Sequence, residues 1–378
     1  MAYWNALYAL SAVVALMILL QRLSRYRVLR RFSASYGCQD AASEILYDYW
    51  GILKIIRSTR SLLKKTALAN SVSLFEKYGD TYTSRLLAQK VFFTCDPRNI
   101  KHVLVTRFVD YDSSTIRAHL FRQITERGIF AVDGPEWKVA RDRYRNQLSH
   151  TRSIIDLDIQ EQHFQNFLRR VPSGGKPFDL QILFSNLILD LTTAFALGES
   201  LDSLNPFQSD DRKKFVESLL YVKKTMARDG FLGPVHLLLS KRDFYRACGD
   251  VHRYIEQIIH RALEKKKSRS DKSGNGEDGR GYNLLQGLTE NTSDVVELRD
   301  GVITILIAGI ESVASLLSTT FWLLARDERV YQKLRASILD SIGQDHPTYD
   351  QLKSLTYLRY VLNEGKTTLS LPVLHSLD

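Results

Sequence analysis

The sequence predicts a mainly α-helical fold: a helical bundle around one long buried helix, with a small β portion near its start. β-Favouring runs are confined to Thr81–Tyr82–Thr83 and Val91–Phe92–Phe93–Thr94, separated by polar residues as in a short hairpin. From Pro135 onward apolar residues recur at three- and four-residue spacing, the period of a helix with one buried face. Late in the chain, residues 302–310 are apolar on every side except at Thr304, which predicts a helix enclosed all round.

The chain has 378 residues, enough for one large core or two ordinary ones. Its 44% hydrophobic and 25% charged content is that of a globular protein and suggests neither a disordered chain nor a multi-span membrane protein. The formal charge of +10 suits an anionic membrane surface, an acidic protein or a nucleic acid, and position decides between them. Arg22, Arg25, Arg27, Arg30 and Arg31 crowd the stretch before the first acid, Asp40, directly after an apolar run. A basic cluster there predicts a juxtamembrane segment facing anionic headgroups. No nucleic-acid-binding signature accompanies it, so no nucleic-acid partner is expected.

Tyr3 to Leu20 carries no charge, and as a helix it approaches the roughly 30 Å thickness of bilayer hydrocarbon. Tyr3, Trp4 and Tyr8 lie toward its outer end, where aromatic rings favour the interface. A cleaved signal peptide would carry positive charge before the apolar run; here the arginines follow it. The expected organisation is a transmembrane anchor over 1–20 and a basic linker over 21–39, with the rest in the cytosol. One domain is expected over 40–364, and an aberrant tail over 365–378.

Asp96–Pro97 is an N-cap followed by proline at the first helical position, opening a helix through Ile100, Val103 and Leu104. Phe164, Phe167 and Leu168 mark one helix face; Leu180, Leu183, Phe184, Leu187, Leu191 and Phe195 mark another. A further helix is predicted from Arg242 to Lys266. Glu264 to Gly281 is a Lys/Ser/Gly tract that cannot bury a core, and reads as an exposed loop. The long helix follows, from about Val295 to Asp327. Cys38, Cys95 and Cys248 are too far apart for metal-ligand spacing, and an odd, sparse set suits a reducing compartment.

Local features that packing does not explain carry the chemistry. Trp137, Arg141 and Arg145 are spaced by four and share one face of a helix opened by Asp133–Gly134–Pro135. A tryptophan N–H and two guanidinium groups on one side can clamp carboxylates, although alone they would pass for an ordinary basic face. Ala308–Gly309–Ile310–Glu311–Ser312 puts a mid-helix glycine, costing roughly 1 kcal/mol against alanine, beside an acid and a hydroxyl in an apolar helix. Small residues let something large approach the backbone, and an acid beside an alcohol can pass it protons. Last, Tyr357 to Glu364 starts an amphipathic helix that is expected to break at Gly365–Lys366–Thr367–Thr368.

The order Trp-x-x-x-Arg, then Ala-Gly-x-Glu-Ser, then Tyr-Leu-x-x-x-x-Asn-Glu resembles the landmarks of cytochromes P-450, over most of residues 40–364. The blocks Gly128 to Trp137, Phe178 to Gln181, Leu189 to Thr192 and Phe195 to Ser200 resemble the fungal n-alkane and fatty-acid hydroxylase group. The resemblance implies haem b, with Trp137 and Arg141 on its propionates and Arg145 nearby. Ala308 and Gly309 would border the oxygen pocket, while Glu311 and Ser312 would relay protons for oxygen activation. The usual threonine is serine at 312, which loses the methyl that fixes the hydroxyl rotamer. The implied activity is insertion of one oxygen atom into a hydrophobic substrate. Electrons would come from NADPH through NADPH–cytochrome P-450 reductase, at the endoplasmic reticulum membrane. Segments around Ser113–Phe130 and Leu180–Leu239 would line or gate the pocket.

The pattern departs from the family after Glu364, the structural glutamate of Glu-x-x-Arg, because Thr367 holds the arginine position. No cysteine follows Cys248, so the axial thiolate segment is not among these residues. Gly365–Lys366 can be encoded as GGTAAG, which contains the usual start of an intron, so a retained intron translated from Gly365 onward, or an unfinished gene model, is expected. The alternatives to the monooxygenase are an inactive membrane-anchored fragment and a helical membrane-tethered scaffold without haem.

Overall fold

The computed structural model describes residues 2–44, 51–64, 66–86, 89–113, 115–148, 156–175, 177–271 and 283–369. In chain order the first elements are α1 (Ala2–Ser35), β1 (Ala42–Ser43), α2 (Ile52–Leu63), α3 (Ala67–Tyr78), β2 (Thr81–Leu86), β3 (Gln89–Thr94) and α4 (Pro97–Lys101). Then come α5 (Thr115–Arg122), α6 (Gly134–Leu148), α7 (Leu157–Leu168), α8 (Leu180–Leu197), α9 (Asp210–Leu232) and α10 (Arg242–Asp271). The last are α11 (Leu284–Asn291), α12 (Val295–Leu324), α13 (Glu328–Ser341), α14 (Tyr349–Ser354) and α15 (Thr356–Leu369). The chain divides into two compact units, 1–54 with 69–100, and 55–68 with 101–378.

In the first unit, α1 is one unbroken helix through both the expected anchor and the expected linker. Arginine is a good helix former and neither glycine nor proline interrupts the run, so nothing stops the helix at residue 20. Gly37, at φ 63°, ends it, with the Cys38 N–H reaching back to the Ser33 carbonyl (3.0 Å). The hairpin forms as the alternation predicts: β2 and β3 pair antiparallel, with Tyr82 opposite Phe93 and their rings stacked at 5.1 Å. β1 joins β2 in parallel, Ala42 opposite Tyr82. Two residues are too few to carry a readable period, so that strand has no signature in the sequence. Asp96 accepts the Arg98 N–H (2.8 Å) and caps α4 as its position predicts.

In the second unit, α8 packs along α12, and α9 packs on α10. Their apolar faces merge into one core holding Leu189, Phe215, Leu219, Val251, Ile255, Ile259, Val302, Ile303 and Leu306. Each such side chain, fully buried, contributes about 1.5–3 kcal/mol over its exposed state. Asp179 and Asp294 cap α8 and α12, each accepting two backbone N–H groups, and Gly198 at φ 75° closes α8. By length and composition α8 and α12 could each cross a membrane, yet both carry buried core residues here.

The fold corrects the sequence reading at several places. α12 is not enclosed all round: Ala308, Ser312 and Val313 are exposed. The polar tract expected as a loop from Glu264 begins as helix: α10 continues to Asp271, through Glu264, Lys265 and Lys267, good helix formers exposed to solvent. Residues 272–281 lie outside the described residues. The expected break at Gly365 is absent, and α15 runs on to Leu369. Gly365 is buried where α15 crosses α12, and a Cβ there would stand 2.6 Å from Thr320 Oγ1. Its small size serves a close crossing.

Candidate functional site

The site is built on two helices, α6 and α12. Gly134, at φ 58°, turns the chain into α6, and Asp133 just before it accepts hydrogen bonds from the Ser113 N–H (3.0 Å) and Oγ (2.5 Å). Those bonds hold the Asp133 carboxyl below its usual range. Ala140, Tyr144 and Gln147 form the buried side of α6. Trp137, Arg141 and Arg145 stand elsewhere on it: Trp137 is half-buried against Phe108 (ring centres 5.2 Å), and the two arginines are exposed. The Arg141 guanidinium lies 5.5 Å from the Trp137 ring centre. Among the described residues no carboxylate pairs with Arg141 or Arg145, whereas Arg143, on the same helix, pairs with Glu297 of α12.

Tyr144 joins the two helices. Its hydroxyl meets Thr304, and its ring approaches Gly301, where a Cβ would stand 3.8 Å away. Burial pushes the Tyr144 hydroxyl up to about 12, so it is a neutral phenol. A Cβ at Gly128 would lie 2.8 Å from Thr304 Oγ1, so only glycine fits that crossing as it stands. Thr304, Ala308 and Ser312 follow at i, i+4 and i+8 along one line of α12. Thr304 is 1% exposed, while Ala308 and Ser312 are open to solvent, so burial ends within one helical turn. Ser312 Oγ donates to the Ala308 carbonyl (2.8 Å).

The structure separates residues that the sequence groups together. Gly309 faces α8, where a Cβ would meet Thr192 Cγ2 at 3.6 Å, an ordinary contact. Glu311 turns to α9 and pairs with Lys223 (2.5 Å). Adjacent helical residues point about 100° apart, so Glu311 and Ser312 do not share a face. Nothing in the sequence pointed to Lys223. Glu364 is exposed on α15.

A buried charge network was also missed. Asp300, 1% exposed, accepts the Arg127 N–H (2.7 Å) and two bonds from Arg299 (3.1 and 3.0 Å); Arg299 also reaches Glu256 of α10 (2.8 Å). Burial raises the Asp300 carboxyl, opposed by Arg127 and Arg299. His252 of α10 contacts the Ile124 carbonyl (3.0 Å), and burial lowers its imidazole. The signal was present: Arg299–Asp300 is an adjacent pair of opposite charges directly before the mostly apolar run 301–310.

These residues fit a large planar group with two carboxylates in two respects. The α6 face offers donors without acidic partners, and α12 leaves a small-residue stretch uncovered. They supply no thiolate. Cys248 is 3% exposed in the core, and burial pushes its thiol up to about 12. No group of three His, Cys, Asp or Glu among the described residues is placed to hold a metal.

The family model for cytochrome P450 matches residues 51–365. Cytochrome P450 monooxygenase fsdH of Fusarium heterosporum is 29% identical over 95% of this chain and 64% of its own length. Cytochrome P450 monooxygenase FPY7 of Fusarium mangiferae is 30% identical over 96% of this chain and 70% of its own. Cytochrome P450 52A9 of Candida maltosa is 30% identical over 89% and 66%. The chain thus spans about two thirds of the length of these relatives. A match from residue 51 to residue 365 takes in most of the sequence, α6 and α12 included, and this chain belongs to the cytochrome P450 family of monooxygenases.

Proposed function

We propose that this chain carries the substrate- and oxygen-handling part of a membrane-anchored monooxygenase. It would insert one atom of dioxygen into the terminal carbon of an n-alkane or fatty acid. The observation that carries this reading is the uncovered stretch of α12 at Ala308 and Ser312, one turn beyond its sealed contact with α6. Haem, when bound, supplies the iron that activates dioxygen; one oxygen atom enters the C–H bond and the other leaves as water, with electrons from NADPH through a reductase.

The chain's own residues do the holding. Arg141 and Arg145 offer the propionates guanidinium donors that no acid among the described residues occupies, and Trp137, beneath Arg141, would add its indole N–H. Ala308 keeps that part of α12 low. Ser312 presents a hydroxyl on the open line, bonded back to Ala308 until a better acceptor arrives. The apolar substrate class rests on the sequence blocks from Gly128 to Ser200. Anchoring at the endoplasmic reticulum rests on α1, whose Val13, Leu16, Met17, Leu19 and Leu20 are all exposed.

Haemin titration of the purified chain in detergent tests the site. Arg141→Ala is expected to weaken binding about tenfold, the loss of one charge-assisted bond of roughly 1.5 kcal/mol. Equal affinity for wild type and variant would sink the assignment.

A second reading has its own observation. Cys248 is the sole cysteine of the second unit and is closed into the core. These 378 residues by themselves would then bind haem without a thiolate and would not activate dioxygen. A carbon-monoxide difference spectrum with the normal thiolate-type Soret band would overturn it.

A further inference from the structure

We infer that His119 and His236 form a two-histidine site for a borderline divalent cation such as zinc or copper. His119 is exposed on α5; His236 lies in the 3₁₀ turn Gly233–Leu238 that links α9 to α10, and is 3% exposed. Their ring centres are 5.5 Å apart, with the planes inclined at 45°. His236 Nδ1 lies 2.5 Å from the Gly233 carbonyl. A carbonyl only accepts, so Nδ1 carries the proton and Nε2 keeps its lone pair. That Nε2 is buried and has no hydrogen-bond partner. An orphaned buried nitrogen costs stability unless something fills it, and a backbone carbonyl on the opposite nitrogen is the usual support of a metal-binding imidazole.

The spacing fits a shared metal. Zinc lies about 2.0 Å from each imidazole nitrogen at a near-tetrahedral angle, which places each ring centre about 3 Å from it and the two centres roughly 5 Å apart. The scaffold on either side is packed: Leu120, next to His119, lies 3.2 Å from the position of a Cβ on Gly230, near the end of α9. Among the described residues no carboxylate or thiol completes a protein ligand set of three. Water therefore fills the remaining positions, and neutral imidazoles favour zinc or copper over magnesium or calcium. A bound ion would tie α5 to the turn between α9 and α10. The site lies outside the α6–α12 assembly and uses none of its residues.

The test is a calorimetric titration of the full chain in detergent with zinc chloride. Cys38 and Cys95, both exposed, are replaced by serine in every sample so that their thiols do not bind the metal. Expected is binding at submillimolar zinc that His119→Ala weakens by at least about tenfold, the scale seen even for outer partners of metal-bound histidines. His346→Ala, on an exposed residue elsewhere, should leave it unchanged. Zinc should also slow amide exchange in both α5 and residues 233–238, and in no other pair of segments. His236 is buried and its alanine variant could misfold, so the exposed His119→Ala decides. Absence of submillimolar binding, or binding that His119→Ala leaves intact, overturns the proposal.

Discussion

Between Leu298 and Leu306, α12 is sealed: Leu298, Val302, Ile303 and Leu306 are wholly buried, and its charged pair Arg299–Asp300 is bonded to Glu256 and to the Arg127 N–H. At Ala308 and Ser312 the same helix lies open, with a hydroxyl bonded back to the Ala308 and Gly309 carbonyls of its own backbone. The composition hardly changes between the two stretches; what changes is what the rest of the chain lays against them. The sealed stretch is held by α6, α10 and the turn around Arg127. The open one is met on its other sides only, by Thr192 of α8 near Gly309 and by Lys223 of α9 at Glu311. Stability should therefore be concentrated in the first stretch, and tolerance to substitution in the second.

Arg299→Ala attacks the sealed stretch most directly. It leaves Asp300 buried without its guanidinium, and a loss of about 3–5 kcal/mol is expected in urea unfolding. A loss under about 1 kcal/mol would mean that the network does not seal the helix. Gly365→Ala comes next. The new methyl would press on Thr320 at the crossing of α15 with α12, and overpacking of this kind costs about 1–3 kcal/mol. An unchanged melting curve would show that α15 does not pack there.

At the open stretch the expected effects are small. Gly309→Ala meets only an ordinary contact with Thr192 and gains helix propensity, so it should be neutral or stabilising by up to about 1 kcal/mol. Ser312→Ala should stay within about 0.5 kcal/mol. A large loss from either would erase the contrast. The smallest effect concerns pH. Asp133 is held below its usual 3.8 by the Ser113 bonds, so their contribution is complete above that pH and fades as pH falls through the lower folded value. Acid-unfolding curves of wild type and Asp133→Asn should differ above that window and converge below it.

Much of the fold was legible because its signals are local. The cap at Asp96–Pro97, the hairpin around Tyr82 and Phe93, and the apolar face of α8 follow from nearest neighbours and a fixed period. The common face of Trp137, Arg141 and Arg145 was legible for the same reason. Gly365 misled because a glycine that permits a close crossing has the same letter as one that ends a helix. Residues 264–271 misled because a solvated charged helix and a loop share composition.

The sequence by itself determined the helical class, the order of landmarks and the family, since each rests on periodicity or on motifs read along the chain. Only the tertiary structure decided that Glu311 turns to Lys223 while Ser312 faces the open side, that Arg299 and Asp300 lock three segments together, and that His119 meets His236. Those partners are separated by tens to hundreds of residues. Their pairing depends on how helices cross, and no local spacing encodes a crossing.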